Sequence, residues 1–456
     1  MRVLIVTFAF PPSNVIGAVR VGKLARYLDR SGHDVRVLTT DIVADRSLPL
    51  EIPREKVIYS DYRQRKPWAE YIARWLRRPP AAFEDSREGA PARSEASTTS
   101  LWSILRRHYL GLVHIPDMRS DWIKTALPAG KRLIKQWQPD IIFASAPPHT
   151  GLIVASRLAR SFDIAWVADF RDLWVDNPYY NEPVWRKQID TALERHTLRH
   201  VAGLVTVSPT WAEKLSQRHG KSVEVVYNGY AEEDFPPLEP RVPSGEVLTI
   251  RYMGSMYPGF RDPSPLFAAI GLLPDHLRNA LKVEFFCDTG EVVLEAAAAH
   301  RVSDAVSAHR LVPYRRALEL QTEADVLLLL QSSNERDEGN LPAKLFEYLY
   351  VRRPILLIGY ERGVAAQLVE TRGAGFVSSD PTQIRDQLQR WSDDKRAGRL
   401  NRLDPSVCEG LSRDEQYQKL EQLFGEIVRA ERRHDGRQRR RDAPPDSPLS
   451  HETAAH

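Results

Sequence analysis

The sequence predicts an α/β fold of two Rossmann-like domains facing each other across a cleft. Three observations carry this. Short apolar runs alternate with helical stretches from the first residues onward, the order that builds a doubly wound parallel sheet. The alternation pauses at the Pro- and acid-rich stretch Asp234–Gly245 and restarts at Leu248, so it runs through the chain twice. The ends of the predicted strands carry Gly, Pro and charged residues, and that is where open α/β sheets hold their ligands.

Composition narrows the class. A chain of 456 residues has room for two or three domains, and 42% hydrophobic residues will fill their cores. A net charge of +4 is too small for a dedicated nucleic-acid binder of this size. Cys287 and Cys408 are the only cysteines, which rules out a disulfide framework and a cysteine-rich metal site and fits a reducing, cytoplasmic compartment. Met1-Arg2 leads directly into Val3-Leu4-Ile5-Val6, read as a first strand rather than a signal peptide. No apolar run reaches the length of a membrane span.

The first domain is expected over 1–235. Arg2–Thr7 is a strand, followed by a loop through Gly17 to Arg20, a helix ending at Arg30 before Gly32, and a strand at Asp34–Thr39. The loop has no GxGxxG, which argues against dinucleotide binding of the usual kind. Residues from about 45 to 125 form a basic and aromatic insertion. Trp68, Trp75, Arg77 and Arg78 precede a Pro-, Ala- and Ser-rich stretch, and Trp102, Arg106 and Arg107 follow it. Such residues suit peripheral contact with an anionic membrane, at its inner face; the alternative is a helix packed on the domain with a solvated basic side. Strands are then expected at Asp140–Ala144, Ile164–Ala168, Gly203–Val207 and Val223–Tyr227. His149 lies in the loop after the first of these. Asp169, Arg171 and Asp172 lie after the second, either contacting a ligand or with Arg171 bridging the two aspartates.

The second domain is expected over 241–412, with strands at Leu248–Met253, Lys282–Phe286, Arg310–Val312, Asp325–Leu330, Pro354–Ile358 and Gly375–Val377. Its first loop, from Gly254 to Asp262, contains one cation, Arg261. The stretch Gly339–Tyr348 sits between two buried strands and turns helical at Ala343. Free amides at a helix start attract anions, Lys344 adds a full charge, and Glu347 lies one turn on along the same side. A terminal helix over 413–430 and a disordered, arginine-bearing tail over 431–456 complete the chain.

Taken together these motifs resemble the retaining, metal-independent GT-B glycosyltransferases of the family-4 type over about residues 1–430. The resemblance rests on the Phe10-Pro11-Pro12, Gly17-Ala18 and Arg20 loop, on Val205–Ser208 and Val226–Gly229, and on Pro342-x-Lys344-x-x-Glu347-Tyr348 followed by Arg353-Pro354. It implies transfer of a sugar from a nucleotide-diphosphate donor to a lipid-linked or surface-glycan acceptor, in building a polysaccharide or cell envelope. No metal or other cofactor is implied. Lys344 and Arg261 would face the diphosphate, Gly254, Gly339, Asn340, Leu341 and Ala343 would cradle it, and Pro313 would line the nucleotide. Glu347 would accept from the ribose. Gly17, Arg20 and His149 would meet the acceptor, with Arg20 on an acceptor phosphate, and Asp169, Arg171 and Asp172 would join Lys344 in the chemistry. The family's first glutamate position falls on Gly339. The terminal helix would cross back to the first domain. A sugar-nucleotide epimerase or phosphorylase on the same architecture, and a non-catalytic partner subunit, are the alternative readings.

Overall fold

The computed structural model describes residues 1–41, 48–62, 114–180, 182–238, 245–257 and 259–442. Trp68, Trp75, Arg77, Arg78, Trp102, Arg106 and Arg107, on which the membrane expectation rests, lie outside the described residues.

The first sheet contains β1 (Arg2–Val6), β2 (Asp34–Thr40), β3 (Val57–Ser60), β4 (Ile141–Ala146), β5 (Trp166–Phe170), β6 (Gly203–Thr206) and β7 (Val223–Val225). All pair parallel, in the order β3-β2-β1-β4-β5-β6-β7. Its helices are α1 (Ile16–Arg30), α2 (Ile123–Trp137), α3 (Thr150–Phe162), α4 (Val184–Leu198) and α5 (Pro209–His219). The second sheet repeats the plan with β8 (Leu248–Met253), β9 (Leu281–Phe286), β10 (Val306–His309), β11 (Val326–Leu330), β12 (Ile355–Ile358) and β13 (Gly375–Val377), in the order β10-β9-β8-β11-β12-β13. Around it lie α6 (Ser264–Gly271), α7 (Asp275–Arg278), α8 (Gly290–Ala299), α9 (Tyr314–Glu323), α10 (Ala343–Val351), α11 (Val364–Thr371) and α12 (Pro381–Arg396). The last helix is α13 (Arg413–Asp442).

Two parallel sheets wrapped by helices are the two Rossmann-like domains expected. Buried on both faces, the strands read as continuous apolar runs, as in Val326–Leu330. Local signals set the helix ends. Ser208 accepts from the Trp211 amide at 3.3 Å to start α5, Pro209 holds its first position, and Gly220 ends it at φ +62°. Ser412 and Glu415 form a reciprocal capping box that opens α13, with Ser412 N donating to Glu415 Oε2 at 3.0 Å and Glu415 N donating to Ser412 Oγ at 3.2 Å.

Two strand positions differ from expectation. β3 lies in a stretch read as broken alternation, because an edge strand of four residues carries too little apolar pattern to be seen. β10 occupies Val306–His309 rather than Arg310–Val312, and Leu311 is exposed. The terminal helix continues past 430 to Asp442, into the stretch read as tail.

The chain crosses between domains twice, and the crossings lie side by side. Tyr230 N donates to Leu411 O at 3.2 Å and Arg413 N donates to Tyr230 O at 2.7 Å. α13 then packs on the first domain: Tyr417, Leu420, Phe424 and Val428 share a core with Val3, Ile5 and Val21. In each sheet the first strand lies beside the fourth in sequence, so the order of strand addition reverses at β1/β4 and at β8/β11 while all strands stay parallel. The crevices beyond the carboxyl ends of those strands face each other.

Candidate active site

On the second-domain side, the β11–α10 loop brings together most of the residues expected there. α10 starts at Ala343 after Pro342, with no side-chain cap and no acidic residue in its first turn, so no capping side chain satisfies the amides at its start. The Lys344 ammonium donates to the Met253 carbonyl and sits 4.4 Å from the Tyr252 ring centroid. Gly254 makes room for it: a Cβ there would lie 2.6 Å from Lys344 Nζ, and its φ of +118° suits glycine. Arg261 reaches the same place, donating to Ser255 O and to Tyr252 Oη at 3.4 Å, with its guanidinium over Tyr257. Among the described residues neither cation has an ion-pair partner within 4.0 Å. Burial, with the Arg261 charge second, pushes Lys344 well below the ordinary lysine range.

Glu347 is buried and accepts from Gln321 Nε2 at 3.0 Å and Tyr314 Oη at 3.2 Å. Burial raises its carboxyl above the usual range, while Gln321, Arg413, Tyr314 and Lys344 pull it back. Pro313 is exposed at the cap of α9, one residue before Tyr314. Leu341 is in the core. Asn340 donates through Nδ2 to Asp337 at 3.2 Å and its carbonyl accepts from Gln331. Gly339 faces the other domain: a Cβ there would lie 2.4 Å from the Trp211 ring of α5. The position of the resembled family's first glutamate is thus closed by a tryptophan.

On the first-domain side the expected residues divide into two groups. Asp169, at the end of β5, is fully buried and accepts from Arg20 Nη2 at 3.0 Å, Arg20 Nε at 3.2 Å and Ser145 Oγ at 2.7 Å. Arg20 also donates to Val226 O, Tyr227 O and Asn228 Oδ1, so all five of its N–H groups are used inside the domain. This corrects the expectation for Arg20, which has no donor left for an acceptor phosphate. It corrects Asp169 likewise, whose carboxylate is held inside the domain rather than offered to a ligand. Arg171 does not bridge the two aspartates.

The other group is open to the cleft. Arg171 lies against Gly17, where a Cβ would be 1.8 Å from its Nη1, and it donates to the Pro147 carbonyl. Its buried Nε has no partner. His149 stacks on Trp174 at 4.8 Å and 3°, and neither His149 Nδ1 nor Trp174 Nε1 is bonded. Burial and the Arg171 charge push the imidazole down to about 3, so it is neutral. Burial raises the Asp172 carboxyl, and Arg171 partly offsets this. Gly17, His149, Arg171 and Asp172 therefore form one polar wall with unfilled hydrogen-bonding capacity.

The two walls touch at one rim. Tyr179 packs on Phe260 at 4.9 Å and its hydroxyl lies 3.4 Å from Asp337 Oδ2, while Lys214 pairs with Glu338 at 2.9 Å. Asp337, Tyr179 and Trp211 escaped the sequence reading. Asp337 is one acid among Glu335, Asp337 and Glu338, and no spacing marks the buried one. Among the described residues no three His, Cys, Asp or Glu side chains group to hold a metal, and no helix is long and apolar enough to cross a membrane.

Facing crevices between two Rossmann-like sheets, with cations on one wall and a polar second wall, define the GT-B fold. Comparison with known proteins agrees. Residues 17–230 match the family described as the glycosyl transferase 4-like domain. Among solved structures, sucrose-phosphate synthase from Thermosynechococcus elongatus aligns with a TM-score of 0.55 at 12% identity, over 96% of this chain and 99% of that one. Anabaena Alr3699/HepE in complex with UDP aligns with a TM-score of 0.59 at 12% identity, over 93% and 100%. The lipopolysaccharide outer core galactosyltransferase WaaB aligns with a TM-score of 0.54 at 12% identity, over 94% and 100%. No curated protein matches the chain. The chain has the GT-B fold, and its residues 17–230 match a glycosyl transferase 4-like domain.

Proposed function

We propose that this enzyme moves a sugar from a nucleotide-diphosphate donor to a lipid-linked or surface-glycan acceptor, with retention at the anomeric carbon. The observation that carries the donor half is the convergence of Lys344 and Arg261 on one spot, where among the described residues neither has an ion-pair partner within 4.0 Å. Two like charges brought together and partly desolvated are costly until a dianion lies between them. A diphosphate supplies that charge, and the amides at the start of α10 supply further donors. That HepE has been solved with UDP supports a nucleotide donor.

As the bond from the anomeric carbon to the phosphate oxygen breaks, its electron pair leaves with the diphosphate. Lys344, Arg261 and the helix amides meet that growing charge and stabilise it more than the ground state. The acceptor hydroxyl forms the new bond to the same carbon. Its proton goes to the leaving phosphate or to Asp172, a carboxylate of the facing wall. Retention rests on the resemblance. The acceptor class rests on the Trp- and Arg-bearing insertion. Its flanks, Tyr62 and Asp117, are fixed to the first domain: Tyr62 packs on Phe8 at 5.1 Å, and Asp117 accepts from Thr150 N at 2.8 Å, next to His149.

The test is a turnover and thermal-shift screen across sugar nucleotides, with and without a polyprenyl-linked acceptor, the product anomer being read by NMR. Release of nucleoside diphosphate only with acceptor present supports the reading. Interconversion of free sugar nucleotides would replace it with an epimerase, and absence of binding to any of them would leave a non-catalytic subunit.

A further inference from the structure

We infer that Tyr350 is a positioning residue for sugar transfer: its ring seats the chain's crossing between the domains on the helix that carries Lys344 and Glu347, and so sets where the facing wall stands. This rests on the nucleotide-sugar reading above and deepens it. Phe346 and Tyr350 lie one turn apart on α10 and meet the segment that leaves the first domain. Tyr227 packs on Phe346 with ring centroids 5.5 Å apart. Tyr230 stacks on Tyr350 at 4.5 Å and 25°, and Phe235 lies 4.7 Å from the same ring. Phe346 and Phe235 are buried, and all five rings join one core of the second domain. Ring pairs in contact favour definite geometries, so this joint fixes an angle as well as a distance.

The crossing on which these rings sit is braced on both sides. Gly229, at φ +62°, lets its two segments lie together: a Cβ there would be 3.0 Å from Arg413 N and from Leu411 O. Tyr227 N donates to Gln416 Oε1 at 3.1 Å, and Arg413 donates to Asn228 O and to Asp234 Oδ2, each at 3.3 Å. Upstream, Arg20 holds the carbonyls of Val226 and Tyr227 while it pairs with Asp169. Asp169 stands two and three positions before Arg171 and Asp172 of the facing wall. Contacts therefore run without a gap from that wall to the helix of the donor cations. A nucleotide held by Lys344, Arg261 and Glu347 does not touch this joint. An acceptor held by the first domain depends on it, because misplacing reacting groups by about 1 Å costs about 10²-fold in rate. Water attacking the same sugar is free to find its own approach.

The experiment compares the full chain with Tyr350→Ala and Tyr350→Phe. Tyr350→Leu is the further variant should the alanine fail to fold, with thermal melting reporting the fold of each. Calorimetry gives the affinity for UDP and GDP, and small-angle scattering gives the radius of gyration with the nucleotide that binds. Turnover of UDP-glucose and GDP-mannose, with a polyprenyl-linked acceptor, gives the ratio of sugar transferred to sugar lost to water. That ratio does not depend on the fraction of folded molecules, so a merely structural defect leaves it in place. In Tyr350→Ala it should fall about tenfold or more, the radius should grow, and nucleotide affinity should stay within about threefold of the parent. Tyr350→Phe keeps the ring and should keep all three. A radius equal to the parent's in Tyr350→Ala, a ratio within about twofold of it, or an equal fall in Tyr350→Phe overturns the inference and leaves the donor reading standing. A parent that binds neither UDP nor GDP overturns both.

Discussion

Arg20 and Asp169 form a buried bidentate ion pair at the carboxyl end of β5, with Nη2 3.0 Å from Oδ1 and Nε 3.2 Å from Oδ2. The pair ties α1 to β5, and the remaining Arg20 donors tie both to the chain leaving β7. Asp169→Asn leaves a buried guanidinium without its counter-charge. It should cost about 3–5 kcal/mol of folding stability, read from urea titration. An unchanged midpoint with lowered turnover would return Asp169 to the acceptor's side of the chemistry.

Lys344→Ala removes one of two cations from the leaving diphosphate. Loss of one preorganised contact of this kind lowers turnover by a factor of roughly 10²–10³. Calorimetry should show nucleoside diphosphate weakened more than nucleoside. Equal affinity of parent and variant for both ligands would remove Lys344 from the site.

Glu347→Gln has an effect whose sign depends on pH. Burial raises this carboxyl on folding. A raised carboxyl contributes stability that is complete below its unfolded pKa and is lost as pH rises through its folded value. The glutamine variant should therefore melt higher than the parent at pH 8, with the gap closing as pH falls toward 4. The same change should weaken nucleoside binding. A variant that melts lower at pH 8 would show that the Gln321 and Tyr314 hydrogen bonds outweigh the buried charge.

His149 should make folding sensitive to acid. Its folded value is about 3, well below the ordinary imidazole range. The unfolded chain therefore takes up a proton near pH 6.5 that the folded chain refuses, and stability falls as pH drops from there toward 3. His149→Phe keeps a ring against Trp174 and removes the titration. Its urea midpoint should decline less steeply than the parent's between pH 6.5 and 4. Parallel declines would mean that the imidazole is solvated in both states.

Much of the fold was legible in the sequence because its signals are local. Apolar runs such as Val326–Leu330 and amphipathic spacing in α1 express periods of a few residues, and repetition of the α/β alternation after the linker was enough for two Rossmann-like domains. Lys344 and Glu347 could be singled out for the same reason, since residues three apart share a helix face whatever surrounds the helix. The short edge strand β3 escaped because edge strands carry weak patterns.

By itself, then, the sequence determined the two-domain α/β architecture, which follows from periodicity, while its ordered motifs carried the resemblance to the GT-B glycosyltransferases. Only the tertiary structure decided which side chains remain available to a ligand. Arg20 and Asp169 are 149 positions apart, and strand order alone joins them, removing both from the cleft. Trp211 closes Gly339 because α5 of one domain packs on a loop of the other. Asp337 stands out from Glu335 and Glu338 only once burial separates it from them. Hydrogen-bonding capacity is spent across the fold rather than along the chain, so the unspent remainder appears only when the chain is folded.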